Sequence, residues 1–223
     1  MSGGLPVEVL PMGGHAVLVE VADLAAVLVL EAALRPRVLT GEGVWARVTD
    51  VVPAARTVLL TTDGSDPADP AALGEAVRGV AASLDGSAPP PSEGEVVTVP
   101  VRYDGEDLDE VADRTGLSVA EVVAAHTGTG WRVAFGGFAP GFAYLVGGDP
   151  RLRVPRRSSP RASVPAGSVG LAGEFSGVYP RSSPGGWQLL GRTDVVLWDE
   201  RRDPPALLRP GSVVRFVDAG GSG

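Results

Sequence analysis

The sequence predicts an α+β N-terminal domain followed by a mainly-β barrel, on three observations. Mixed strand and helix periodicity fills the first 85 residues, whereas from Trp131 onward short apolar runs alternate with Gly and Pro every 8 to 12 residues or so, the spacing of a barrel or sandwich. Between them lies a Pro/Gly/Ser-rich stretch, 85–94 (DGSAPPPSEG), whose composition holds neither helix nor strand. Charge divides at the same place: residues 1–95 carry five arginines against thirteen acids, residues 96–223 fourteen against fourteen, so the first part holds the whole net charge of −8. The domains are therefore placed at 1–85 and 96–223, with 86–95 as linker.

In the first domain, 7–10 and 16–21 read as strands joined by the turn-like 11–14. Residues 24–34 read as a helix that stops before Pro36, because a proline disfavours helical geometry in the residue before it. Two further strands, 44–52 and 57–62, are separated by Pro53, and 70–84 is an amphipathic helix with Pro70 near its start. This order predicts helices over one face of an antiparallel sheet. His15 reads as a turn or surface histidine.

The second domain opens with a strand, 96–102. A helix over 107–114 ends at Gly116, a left-handed cap, and Ser118 with Glu121 three residues on gives the spacing of a capping box for the next. The pair has the outline of a DNA-binding helix-turn-helix, but Asp104, Glu106, Asp107, Asp109, Glu110, Asp113 and Glu121 against Arg114 alone would repel phosphate. It reads as a structural hairpin, with His126 as a cation-compatible residue at a helix C-terminus. The runs 132–135, 143–146, 168–172, 177–180, 187–192, 195–199 and 212–217 then predict a closed barrel.

Composition removes whole chemistries. With no cysteine there is no disulfide, thiolate nucleophile or cysteine metal site. All 19 basic residues are arginine, so a P-loop, Schiff-base, biotinylated or lipoylated lysine is absent, and anions must be met by Arg or backbone amides. The most apolar stretch, 17–34, is interrupted by Glu20, Asp23 and Glu31, and residues 1–6 carry no basic charge. Neither a membrane span nor a secretory signal is expected, which predicts a cytoplasmic protein.

The chemistry-bearing residues lie in 131–192, where eight arginines face only Asp149 and Glu174. Five of them fall in 151–161 (RLRVPRRSSPR). That strip reads either as proline-stiffened guanidinium forks for a carboxylate or phosphate, or as a solvated barrel edge whose charges block strand pairing. In 136–145 (GGFAPGFAYL) and 182–188 (SSPGGWQ), glycines allow close approach of a ligand and aromatics build an apolar wall; barrel-closing turns are the alternative. Neither run is followed by a helix whose N-terminus could complete a phosphate cradle. The histidines, His15 and His126, both fall outside the barrel, so no serine gains a base and no metal cluster forms. The candidates are Arg156, Arg157 and Arg161 for an anion and Glu174 as the internal carboxylate. Phe138, Pro140, Phe142 and Tyr144 are the candidate wall, with Ser168, Trp187 and Gln188 for placement and packing.

Six ordered blocks, 137–145 (GFAPGFAYL), 149–152 (DPRL), 155–157 (PRR), 165–170 (PAGSVG), 183–192 (SPGGWQLLGR) and 210–216 (PGSVVRF), resemble the signature segments of a known family. It is the family of 5-oxoprolinase B subunits and the KipI sporulation kinase inhibitor, formerly called allophanate hydrolase subunit 1. The likeness extends along nearly the whole chain and departs at Gly14 and His15, where an acid and an arginine are usual. It implies an N-terminal α+β domain and a cyclophilin-like barrel. It also implies a C-type partner subunit with a related barrel and an A-type subunit. The complex would open 5-oxo-L-proline to L-glutamate with ATP and Mg, no cofactor being held by this chain alone. The B- and C-type subunits would help activate the 5-oxoproline carbonyl by phosphoryl transfer. Two other roles follow from the same likeness: inhibition of a histidine kinase, and a carboxyltransferase-like role related to urea amidolyase.

Overall fold

The computed structural model describes residues 3–84 and 94–220, so most of the linker expected at 86–95 lies outside the described residues. The chain forms two compact units, Met1–Pro91 and Ser92–Gly223.

In the first unit the elements are β1 (Glu8–Met12), β2 (Ala16–Glu20), α1 (Leu24–Thr40), a 3-10 turn (Gly43–Arg47), β3 (Val48–Pro53), β4 (Thr57–Thr62) and α2 (Asp69–Ala82). The strands make an antiparallel sheet in the order β1-β2-β4-β3. Alternation buries Val17, Val19, Val58 and Leu60, and the helices contribute Leu30, Leu34, Leu73 and Val77 to the unit's buried set. The Asp23 carboxylate accepts the Ala26 amide at 2.9 Å and starts α1.

Three expectations are corrected in this unit. Helix α1 does not stop before Pro36 but runs through it to Thr40, ending where Gly41 takes φ 64°. Pro36 removes one hydrogen bond, to the carbonyl of Ala32; both residues are exposed, so that carbonyl is left to solvent rather than stranded in the core. Residues 44–47 form the 3-10 turn instead of the start of a strand, with the Trp45 amide closing on the Glu42 carbonyl. Pro53 lies inside β3, an edge strand, where a missing donor costs little.

The second unit holds β5 (Val96–Val101), α3 (Leu108–Thr115), α4 (Val119–Thr127), β6 (Trp131–Gly136), β7 (Ala143–Val146), β8 (Arg161–Val164), β9 (Ser168–Ala172), β10 (Phe175–Val178), β11 (Ser183–Gly185), β12 (Gln188–Arg192) and β13 (Val213–Asp218). Gly116 caps α3 at φ 69°, and Ser118 and Glu121 complete the capping box of α4. Seven strands form one sheet, β12-β9-β10-β7-β6-β13-β5, antiparallel except for β13 beside β5. Its two ends meet where Arg102 and Arg192 exchange backbone hydrogen bonds of 2.9 Å each, giving a nearly closed barrel. A Cβ on Gly191 would lie 2.1 Å from the Arg102 carbonyl oxygen, so only glycine permits this approach. Inside are Val101, Val133, Leu145, Leu171, Leu190 and Phe216.

The run 195–199 is not a strand. It makes one bridge, Trp198 to Ala206, and Leu197 joins the barrel core with Leu208 while Val195 packs against it, so an apolar alternation serves as a plug. Conversely β8 and β11, unexpected as strands, pair as a separate ribbon.

Candidate functional site

The arginine strip is held extended beside the 182–187 loop: the Arg157 amide donates to the Gly186 carbonyl at 2.8 Å, and β8 continues the pairing onto β11. Successive side chains of extended backbone point to opposite sides. Arg157 accordingly goes to Asp107, while its neighbour Arg156 lines a cavity of about 240 Å³.

That cavity is an aromatic cup. Phe138, Phe142, Tyr144, Tyr179 and Trp187 form its wall, with Arg156, Pro160, Pro184, Gly185 and Gly186 completing it. Phe142 is the hub, edge-to-face with Phe138 at 5.3 Å, Tyr144 at 5.1 Å, Trp187 at 5.4 Å and Tyr179 at 5.6 Å. Close packing favours glycine at two positions: a Cβ on Gly185 would lie 2.3 Å from the Tyr179 hydroxyl, and one on Gly177 3.0 Å from both Phe142 and Trp187. Burial pushes the Tyr179 phenol up against the opposing effects of the Trp187 amide and the Arg156 charge, so it stays protonated. At the mouth Phe138 is held at φ 68°, a left-handed conformation that costs a non-glycine residue about 1–3 kcal/mol and recurs at ligand clamps.

Behind the strip lies a charge clamp. Asp107 is 2% exposed; its Oδ1 accepts from Arg157 at 2.5 Å and Arg161 at 2.8 Å, and its Oδ2 from the Leu189 amide at 2.7 Å. Burial opposes ionisation, but the Arg161 and Leu189 hydrogen bonds and the charges of both arginines outweigh it and hold the carboxyl below its ordinary range. Arg161 also reaches Glu106 at 3.1 Å. Elsewhere in the basic segment Arg151 pairs with Asp149, Arg153 with Glu174 and Arg192 with Asp104. Arg156 and Arg181 make no ion pair with the described residues.

The structure thus brings together Arg156, Phe138, Phe142, Tyr144 and Trp187 of the expected set and leaves the others apart. Arg157 and Arg161 belong to the clamp. Glu174 is not an internal carboxylate: it is exposed in the tight β9–β10 turn, 3.4 Å from Arg153. Pro140 is exposed at the tip of its loop and outside the cup wall. Ser168 lines a different cavity, of about 180 Å³, with Asp104 and Arg192. Gln188 is buried between Pro155 and Glu110. Tyr179, Pro160 and Pro184 were missed, although the tyrosine-proline pair 179–180 and the prolines flanking the glycines were visible signals. A shallower depression of about 450 Å³ beside Arg153 offers a guanidinium already paired with Glu174.

His126 also requires correction. It does stand in the last turn of α4, but it is fully buried rather than placed there as a cation, with Nε2 2.9 Å from Ser176 Oγ and Nδ1 2.8 Å from the Tyr103 hydroxyl. A barrel serine therefore does meet an imidazole, but Ser176 and His126 are both sealed from solvent, and the imidazole stacks on Phe216. Burial pushes the imidazole down to about 3, so it is a neutral core linker. Among the described residues no group of three or more His, Cys, Asp or Glu is placed to hold a metal ion.

The chain belongs to the family described as carboxyltransferase domain, subdomain C and D, matched over residues 7–208. More particularly, it is 52% identical over 125 residues to the B subunit of 5-oxoprolinase from Bacillus subtilis (strain 168), covering 55% of this chain and 52% of that one. It is 50% identical over 128 residues to the corresponding 5-oxoprolinase B subunit of Escherichia coli O157:H7, covering 56% and 59%. The chain thus spans between half and three-fifths of the length of these curated relatives. The crystal structure of TTHA0988 matches 97% of this chain and 40% of its own, with 39% identity and a TM-score of 0.71. The Kluyveromyces lactis urea amidolyase shares the fold, with a TM-score of 0.76 at 20% identity over 96% of this chain and 15% of that one. No helix of the described residues is long and apolar enough to cross a membrane.

Proposed function

We propose that this chain is the B-type subunit of a cytoplasmic, ATP-dependent 5-oxoprolinase that acts beside C-type and A-type subunits to convert 5-oxo-L-proline to L-glutamate. The observation that carries the reading is the cup. Three separated motifs, around Phe142, Arg156 and Trp187, converge on one aromatic cavity bordered by a guanidinium without an ion-pair partner among the described residues, in a chain whose relatives are named as B subunits of 5-oxoprolinase. The cup has no nucleophile with a base, since the Ser176–His126 pair is sealed away, so this chain binds and orients while the covalent steps need the other subunits. Magnesium-bound ATP does not fit the cup, because a triphosphate needs several cations and the cup offers Arg156 alone.

Reconstitution tests the reading. Purified chain mixed with its C-type and A-type partners should convert 5-oxoproline to glutamate in an ATP-dependent manner, and leaving this chain out should abolish conversion. Undiminished turnover without it would overturn the assignment. A second reading, a carboxyltransferase-like subunit, is favoured by the family's description and by 30% identity over 118 residues to the urea amidolyase of Saccharomyces cerevisiae, covering 49% of this chain and 6% of that protein. Its signature would be carboxyl transfer by the same mixture without loss of 5-oxoproline.

A further inference from the structure

We infer that the aromatic cup of this chain is itself the binding site for a small, ring-bearing monocarboxylate, whose carboxylate lies on Arg156 and whose ring lies against Phe142, Tyr144 and Trp187. Naming 5-oxoproline as that ligand rests on the proposed function; the chemical class rests on the geometry.

Arg156 stands out by its surroundings. Arg157 and Arg161, on the same strip, are occupied by Asp107, and Arg151, Arg153 and Arg192 are each paired with an acid. Arg156 has no such partner among the described residues, and no carboxylate lines the cup that it borders. One planar guanidinium matches one carboxylate through two parallel hydrogen bonds. A second negative charge on the ligand would find no further cation in the lining of the cup. The charge balance therefore selects monoanions.

Shape selects the rest of the ligand. A cavity of about 240 Å³ accepts a compact molecule and excludes a nucleotide. Its inner rings pack edge-to-face around Phe142, and Gly177 and Gly185 leave little space behind them, so the inner wall is closely packed. Flat ring faces at this spacing suit a small ring better than a flexible chain, which would lose more conformational freedom on entering.

The clamp is what positions the cation. Arg157 and Arg161 are fastened to Asp107 and the Arg157 amide to Gly186, while before Arg156 the Val154 carbonyl accepts the Gly173 amide at 2.7 Å, so the backbone bearing Arg156 is tied on both sides. Asp107 is thus a positioning residue for the cup, acting through the strip rather than by touching the ligand.

The test is a chemical-shift titration of the full chain with 5-oxoproline, its neutral carboxamide and ATP. Saturable binding of 5-oxoproline with shifts centred on the Trp187 indole is expected, with the carboxamide weaker by about tenfold or more and ATP leaving these signals unmoved. Arg156→Gln, at an exposed position, should weaken binding by a similar factor with an unchanged melting temperature, whereas Arg181→Gln, which also removes an arginine outside the ion pairs, should bind as the parent does. Shifts elsewhere, equal affinity for the carboxamide, or full affinity in Arg156→Gln would overturn the inference. The same variants in the reconstituted enzyme separate the two ideas. Turnover with an unchanged KM in Arg156→Gln would sink the site and leave the subunit assignment standing; tight Arg156-dependent binding without turnover by any mixture would do the reverse.

Discussion

Arg156 and Arg157 are neighbours in sequence and identical in chemistry, yet the two sides of the strip that carries them do opposite things. On one side Arg157 shares a carboxylate that is 2% exposed with Arg161 and the Leu189 amide, so nearly all the charge there is answered from within the chain. On the other, Arg156 borders an aromatic cavity with no carboxylate in its lining. A locally basic segment is therefore not evidence of an anion site until its partners have been found. Most of this segment's charge is consumed by acids elsewhere, and recognition is left to the remainder.

Breaking the clamp should cost the most. Asp107→Ala leaves two guanidinium groups and a buried amide without their acceptor and should lower stability by about 3–5 kcal/mol in urea-induced unfolding. A loss below about 1 kcal/mol would mean that the two sides do not differ as described.

Acid should distinguish them next. Asp107 is depressed in the folded state, so the stability it adds is complete above its unfolded value of about 4 and is lost as pH falls through the lower folded value. Asp107→Asn should lack that component of the acid transition. His126 adds a broader slope: burial holds its folded value near 3 while the unfolded chain takes up a proton near 6.5, so stability declines as pH falls between those values, by up to about 1.4 kcal/mol per pH unit. The cup bears no group that titrates in this range, and an Arg156→Gln stability profile should overlay the parent's.

Smaller still is the effect of Gly185→Ala, whose methyl would press on the Tyr179 hydroxyl. It should cost about 1–3 kcal/mol by overpacking and weaken any ligand of the cup, whereas an alanine at Gly13, where nothing lies within 4 Å, would meet only backbone strain. Least of all is expected from Arg156→Gln, which should stay within about 0.5 kcal/mol of the parent in thermal unfolding.

Sequence made the cup more legible than the clamp. GGFAPGFAYL and SSPGGWQ announce themselves because glycine beside aromatics is local information, and Phe142, Tyr144 and Trp187 do meet. The clamp joins Asp107 to arginines 50 and 54 residues away, so a count along the chain assigns its halves to opposite classes, one acidic surface and one basic site. The Ser176–His126 contact escaped for the same reason, being 50 residues apart. Periodicity located β4, β7 and β9 residue for residue and failed at 195–199, where the alternation belongs to a plug whose environment overrides propensity. Proline rules placed the end of α1 too early, since an exposed carbonyl tolerates the loss of its donor.

The junction at Arg102 and Arg192 gives the cylinder a weak point. The seam runs on from that pair, the Gly105 and Asp107 amides donating to the Leu190 and Leu189 carbonyls at 3.1 Å each, and Gly191 is the position that lets the two edges approach. A side chain there would press on the Arg102 carbonyl and prise the seam apart at that point, baring strand edge of the kind through which β-rich chains recruit their own copies and aggregate.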